Sequence, residues 1–160
     1  MIKENDLREF RDMVRYQNGE GITLQTVQEA LKDCAMKMGI QVAFRGDQVK
    51  SGGLFNSSVG DCIVMYHPEH ENDYFKFCIR VRKQGTYAYV SVNDFGNSKQ
   101  MAKAGRAEAY QQDRQGKDMS YKIGSMIGQA VTTIGKNKAK LEEEQMYYQC
   151  VMEMFDEIVS

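Results

Sequence analysis

The alternation of hydrophobic and polar residues is clearest in the middle of the chain. Residues 75–81 alternate Phe, Phe, Ile and Val with lysine, cysteine and arginine, and residues 87–92 read Tyr-Ala-Tyr-Val-Ser-Val. A period of two is typical of β-strands that bury one face, so the apolar set should lie in the core and Lys76, Arg80 and Arg82 in solvent. Together with two shorter apolar segments upstream, the pattern predicts a four-stranded antiparallel sheet. Its strands are expected at about 40–44, 61–66, 74–83 and 87–95.

Helical spacing precedes this sheet. Residues 6–17 place Leu7, Phe10 and Val14 on one side of a helix. A second helix is predicted over 24–38, because Thr23 can cap its start and Gly39 suits its end. These two elements form a predicted N-terminal helix pair.

Helical spacing also follows the sheet. A polar, Ala-rich helix is predicted from Asn97 or Ser98 to about Gly116, and another begins at Asp118 or Ser120. Apolar residues then recur every seven positions, at Ile127, Ile134, Leu141, Tyr148 and Phe155. A break at Gly135 is favoured, because an unbroken helix over 119–158 would be ~60 Å long. The prediction is one α+β domain over 1–160: a helix pair at 6–38, a sheet at 40–95 and two or three helices in a helical part at 98–159.

Charge is sorted into blocks although the whole chain has a net charge of only -1. Residues 74–140 carry 13 lysines and arginines and four acids, a net charge of +9, whereas residues 141–160 carry six acids and no base. Such asymmetry indicates either an anionic partner or pairing between oppositely charged surfaces. The near-neutral total favours pairing, within the monomer or across a dimer.

The composition indicates a reduced, aqueous compartment. Charges interrupt the first residues, so a signal-peptide core is not expected, and no segment approaches the ~18 apolar residues of a membrane span. The four cysteines form no C-x-x-C pair. They are therefore interpreted as thiols, and the chain is expected to be cytoplasmic.

Both histidines lie in the sequence His67-Pro68-Glu69-His70. Imidazoles three residues apart make His67 and His70 weak candidates for a divalent metal, although no second cluster completes a ligand set. Pro68 and Glu69 fit the centre of a type I turn, so a plain turn is favoured. Cys62 and His67 are a weak nucleophile–base candidate across a strand. No catalytic residue and no cofactor is predicted.

The segment Gly85–Val92 resembles the aromatic strand of RNA-recognition domains, in which exposed rings stack on bases. Its glycine lies one residue too far upstream. The Gly/Ser-rich residues 45–60 are interpreted as a loop, where that fold has a helix. Ordinary cross-strand packing of Tyr87 and Tyr89 is therefore favoured.

These observations predict a small non-catalytic interaction or accessory module, with a protein partner or a homodimer formed through its C-terminal helices. The alternative is a nucleic-acid-binding protein that uses the basic block 76–140. An enzyme or metal site at the loop 67–73 ranks third. The candidate nucleic-acid contacts are Lys76, Arg80, Arg82, Lys83, Tyr87 and Tyr89.

Overall fold

The computed structural model describes residues 1–9, 14–53, 55–96 and 138–159. In these residues a seven-stranded mixed sheet carries two α-helices. The strands are β1 (Ile2–Lys3), β2 (Arg8–Glu9), β3 (Val14–Tyr16), β4 (Ala43–Ser51), β5 (Ser58–Tyr66), β6 (Lys76–Gln84) and β7 (Tyr87–Phe95), and the helices are α1 (Leu24–Met38) and α2 (Lys138–Val159). Short 3-10 turns lie at Glu4–Asp6 and Gly19–Gly21.

The seven strands fill six positions in the order β1-β4-β5-β6-β7, with β2 and β3 sharing the last position beside β7. Strands β4 to β7 form an antiparallel meander. Strand β1 pairs parallel to β4, with Ile2 opposite Val49. The predicted four-stranded antiparallel sheet is therefore wrong, because the N-terminal residues add a strand position at each edge.

The predicted helix at 6–17 is also wrong. Arg8–Glu9 and Val14–Tyr16 are strands that pair with β7, and residues 10–13 lie outside the described residues. Leu7 and Val14 suit a strand as well as a helix. Pairing of β2 and β3 with β7 also gives hydrogen-bond partners to the backbone N–H and C=O groups at the edge of β7. The N-terminal helix pair is thus a single helix, α1.

Helix α1 has the predicted bounds. The hydroxyl of Thr23 accepts a hydrogen bond from the backbone N–H of Thr26, and Gly39 ends the helix at φ 70°, a left-handed conformation that glycine adopts cheaply. Leu31, Cys34 and Ala35 face the core.

The predicted loop at 45–60 is instead mostly strand. Strands β4 and β5 pair over nine residues, from Ala43 opposite Tyr66 to Ser51 opposite Ser58. The glycines at 46 and 60 lie inside this ladder with open space around them. Because the described residues of 45–60 form a hairpin where an RNA-recognition domain has a helix, their element order differs from that fold.

Both helices pack on one face of the sheet, here called the helix face. Its core joins side chains of α1, β5, β6, β7 and α2, including Leu31, Met65, Phe77, Ile79, Val92, Leu141, Tyr148 and Phe155. The predicted additional helices at 97–134, and the predicted break at Gly135, lie outside the described residues. Among the described residues, neither helix is long and apolar enough to cross a membrane.

The opposite face is called here the concave face. Residues 1–7 cross it from the β4 edge to the β7 edge and cover a second apolar cluster of Ile2, Val49, Cys62, Val64, Cys78 and Phe95. The Cα atoms of Lys3 and Arg8 are five residues apart along the chain, so they can be separated by ~18 Å at most. Six positions of a flat sheet would be ~24 Å apart at ~4.8 Å per strand, so the sheet curls toward residues 1–7.

Candidate functional site

Three side chains form a row across adjacent strands at one end of the concave face. Tyr89 of β7 is paired with Arg15 of β3 on one side and with Arg82 of β6 on the other. Paired residues of antiparallel strands project to the same face, and the two arginine-bearing strands lie ~10 Å apart. The register therefore sets one guanidinium group on each side of an aromatic ring.

A second ring extends this row. Tyr87 lies two residues before Tyr89 on the same face, and the guanidinium carbon of Arg15 lies 5.0 Å from the centre of the Tyr87 ring. Arg15 and Arg82 are exposed, and both tyrosines are half-buried. We call Arg15, Arg82, Tyr87 and Tyr89 the arginine–tyrosine surface.

The tight β6–β7 turn lies next to this surface. Gln84 and Tyr87 close the ladder, leaving Gly85 and Thr86 as a two-residue loop. Gly85 has φ 61°, which the primed turns of tight hairpins require and which glycine adopts without strain. Arg82, Lys83, Gln84 and Tyr89 line a shallow cleft beside this turn.

The other predicted nucleic-acid contacts are not part of the arginine–tyrosine surface, although Lys83 also lines the cleft beside the turn. Lys83 projects to the helix face, where its Nζ donates a hydrogen bond to the carbonyl oxygen of Glu20 at 3.2 Å. Lys76 lies half-buried at the far end of β6. Most of the basic block falls in 97–137, outside the described residues. Of the six candidates, the structure brings together Arg82, Tyr87 and Tyr89.

Arg80 was predicted to be exposed, and this is wrong. Its side chain is 13% exposed, because residues 1–7 lie over it. It donates a hydrogen bond to Asn93 Oδ1 at 3.2 Å and lies 3.6 Å from a carboxylate oxygen of Glu4. Cys78, on the same face, is fully buried. Arg80 therefore ties residues 1–7 to the sheet.

The histidine loop 67–73 lies between β5 and β6 and contains a turn. The backbone N–H of His70 donates to the carbonyl oxygen of His67 at 3.1 Å, which closes the predicted turn. The Nδ1 of His67 accepts the backbone N–H of Glu69 at 3.1 Å, and that of His70 lies 3.2 Å from Asp73. Among the described residues, no group of three or more His, Cys, Asp or Glu is placed to hold a metal ion.

The two imidazoles join an aromatic cluster that connects this loop to α2. The His67 ring lies 4.8 Å from Tyr147, and His70 stacks on Tyr74 at 4.0 Å. Tyr147 donates a hydrogen bond to the carbonyl oxygen of Gln41 at 3.0 Å. Burial, and secondly the neighbouring His70, lower the pKa of His67. Both features favour a neutral His67 that anchors the helix.

The predicted pairing of Cys62 with His67 does not form. Cys62 belongs to the cluster on the concave face, whereas His67 packs against Tyr147 of α2 on the helix face. The nearest thiol partner of Cys62 is Cys78. The hydrogen bond between these thiols, together with burial, raises the pKa of Cys78.

Arg15 is the surface residue that the sequence analysis missed, because it fell inside the predicted helix 6–17. The local signal was present: Val14-Arg15-Tyr16-Gln17 alternates apolar and polar residues.

Comparisons with family models, with curated proteins and with solved structures found no match for this chain.

Proposed function

We propose that this protein is a non-catalytic binding module whose partner docks on the arginine–tyrosine surface. The observation that carries the proposal is the row of Arg15, Tyr89 and Arg82 across three paired strands. Arginine and tyrosine dominate the energetic centres of binding interfaces, since they combine a large contact area with directional polar groups. A ladder fixes their positions before binding, which lowers the entropic cost of docking.

Helix α2 is less suited to this role. Its apolar side chains, among them Tyr148, Val151 and Phe155, are buried against the sheet of the same chain. The expected homodimer through the C-terminal helices would need other residues of α2, of which Met146 is exposed. The proposed docking surface therefore lies on the concave face.

We also propose a cytoplasmic location. All four cysteines are free thiols, and three of them are buried. Unpaired cysteines in a folded core are typical of proteins that stay in a reducing compartment. The location is tested by fractionating cells that express the full chain.

Site-specific photo-crosslinking tests the proposed function. Gln84 lies beside Arg82 on the concave face, and Gln25 is exposed on α1. Each glutamine is replaced in turn by a benzoyl-phenylalanine, and the full chain is irradiated in the cells that make it. We expect a discrete adduct from position 84 and none from position 25.

A charge reversal supplies the matched control. Arg82→Glu should abolish the adduct at position 84, whereas Lys32→Glu, the same kind of reversal on the exposed side of α1, should leave it unchanged. Equal adducts from both positions, or adduct formation indifferent to Arg82, would contradict the proposal.

A further inference from the structure

We infer that the partner of the arginine–tyrosine surface is single-stranded nucleic acid, bound by stacking of bases on the rings and by guanidinium contacts to phosphates. The inference rests on the proposed function and names the partner of the same surface. Stacking platforms flanked by positive charge bind single strands of any sequence, because every base has a π-face.

The spacing of the rings selects a single strand over a duplex. Tyr87 and Tyr89 are two residues apart on one strand, which separates them by ~6.6 Å. Stacked bases in a duplex are ~3.4 Å apart along each strand, and their faces are covered by their neighbours. Successive bases can therefore rest on these two rings only when the strand is extended and unstacked.

Arg82 lies where a sugar–phosphate backbone would run. A strand whose bases follow β7 has its backbone along one side of the ring row, and we place it on the Arg82 side because the guanidinium of Arg15 lies over the Tyr87 ring. The guanidinium of Arg15, already over the Tyr87 ring, also offers a plane on which a base stacks. Two acids of the concave face are paired with other arginines: Glu4 with Arg80, and Asp47 with Arg45.

An acidic polypeptide fits this surface less well. Its carboxylates would satisfy the guanidinium groups, but ring faces carry a negative quadrupole and repel a carboxylate. The half-exposed face of Tyr89 would then lack a matching group. Bases stack on Tyr89 and on the guanidinium of Arg15 over Tyr87, and phosphates reach Arg82, so one ligand uses all four side chains.

Fluorescence anisotropy with purified full chain tests the inference. The probes are labelled ten-nucleotide oligouridine, oligothymidine and a DNA duplex of the same length, titrated at several salt concentrations. We expect both single strands to bind at least ~10-fold more tightly than the duplex. If oligouridine and oligothymidine bind alike, the shared chemistry is base and phosphate. A preference for oligouridine would add the 2′-hydroxyl.

Variants then assign the binding to this surface. Tyr89→Leu should weaken single-strand binding roughly 5- to 100-fold, the effect of losing one stacked base, and Tyr89→Phe should retain it. Arg82→Gln should make the log–log salt dependence shallower by about 0.7, the value of one phosphate on a single strand. Lys32→Gln removes the same charge from α1 and should leave the slope unchanged. Circular dichroism checks that each variant stays folded.

The outcomes separate the inference from the proposed function. Binding that ignores Tyr89 and Arg82, or that favours the duplex, overturns the inference, since lysines of 97–137 would then explain it. An adduct at position 84 that protease removes and nuclease does not also overturns the inference while leaving the binding module intact. Loss of that adduct, by contrast, overturns both.

Discussion

Two methionines on helix α2 provide a direct test of how the helix docks. Met154 is 0% exposed, and Met146, two turns earlier, is 57% exposed. Met154→Ala removes a buried thioether side chain and leaves a cavity, which costs about 2–5 kcal/mol in such cores. Met146→Ala makes the same covalent change and the same gain in helix propensity at the surface, where effects stay within about ±0.5 kcal/mol. The difference between the two variants therefore measures packing alone.

Chemical and thermal unfolding of both variants supply the measurement. For a chain of this size, 2–5 kcal/mol lowers Tm by roughly 4–20 °C, at about 2–4 °C per kcal/mol. We expect this loss in Met154→Ala only, and at every protein concentration. Equal stabilities for the two variants would refute the docking of α2 on the sheet. A loss that shrinks as concentration rises would show that Met154 is buried against a second copy of the chain.

Three further measurements probe other parts of the fold. Burial lowers the pKa of His67, so this residue should not reduce the free energy of unfolding above the unfolded-state pKa of ~6.5. As the pH falls below ~6.5 toward the folded-state pKa, the free energy of unfolding should decrease. His67→Gln should make this decrease smaller when denaturant midpoints are measured against pH, and an unchanged pH dependence would contradict the prediction. A β-carbon at Gly19 would overlap Ala88, whereas Gly21 has open space, so Gly19→Ala should lower Tm and Gly21→Ala should not. A thiol reagent should label exposed Cys150 at once and the three buried cysteines only on unfolding, and equal rates would argue against the core described here.

Local signals predicted the elements whose ends are set by local chemistry. Helix α1 begins at a capping threonine and ends at a left-handed glycine, and both signals are visible within a few residues. Strand β7 has its predicted bounds, 87–95, and its alternation runs from Tyr87 to Asn93. The pairing of N-terminal residues with β7 depends on partners 72 to 86 residues away, which no local pattern encodes.

The same distinction explains the candidate surface. Alternation along β6 and β7 predicted the two strands that carry Arg82, Tyr87 and Tyr89. It could not show that residues 1–7 cover Arg80, nor that Arg15 pairs beside Tyr89. The glycines of 45–60 suggested a loop, but a nine-residue ladder with β5 outweighs their weak strand propensity.

The crossing of the concave face by residues 1–7 has a consequence for the order of folding. Arg8 pairs with Asp94, and Arg15 with Tyr89, so β2 and β3 are synthesised long before the strand β7 that they pair with. The chain segments that separate β2 and β3 from β7 form long loops, which close slowly. The hairpins β4–β5 and β6–β7 close much shorter loops and are expected to form first. The arginine–tyrosine surface is therefore among the last parts of the sheet to be completed, and a nascent chain gains it only once both ends of the sheet are synthesised.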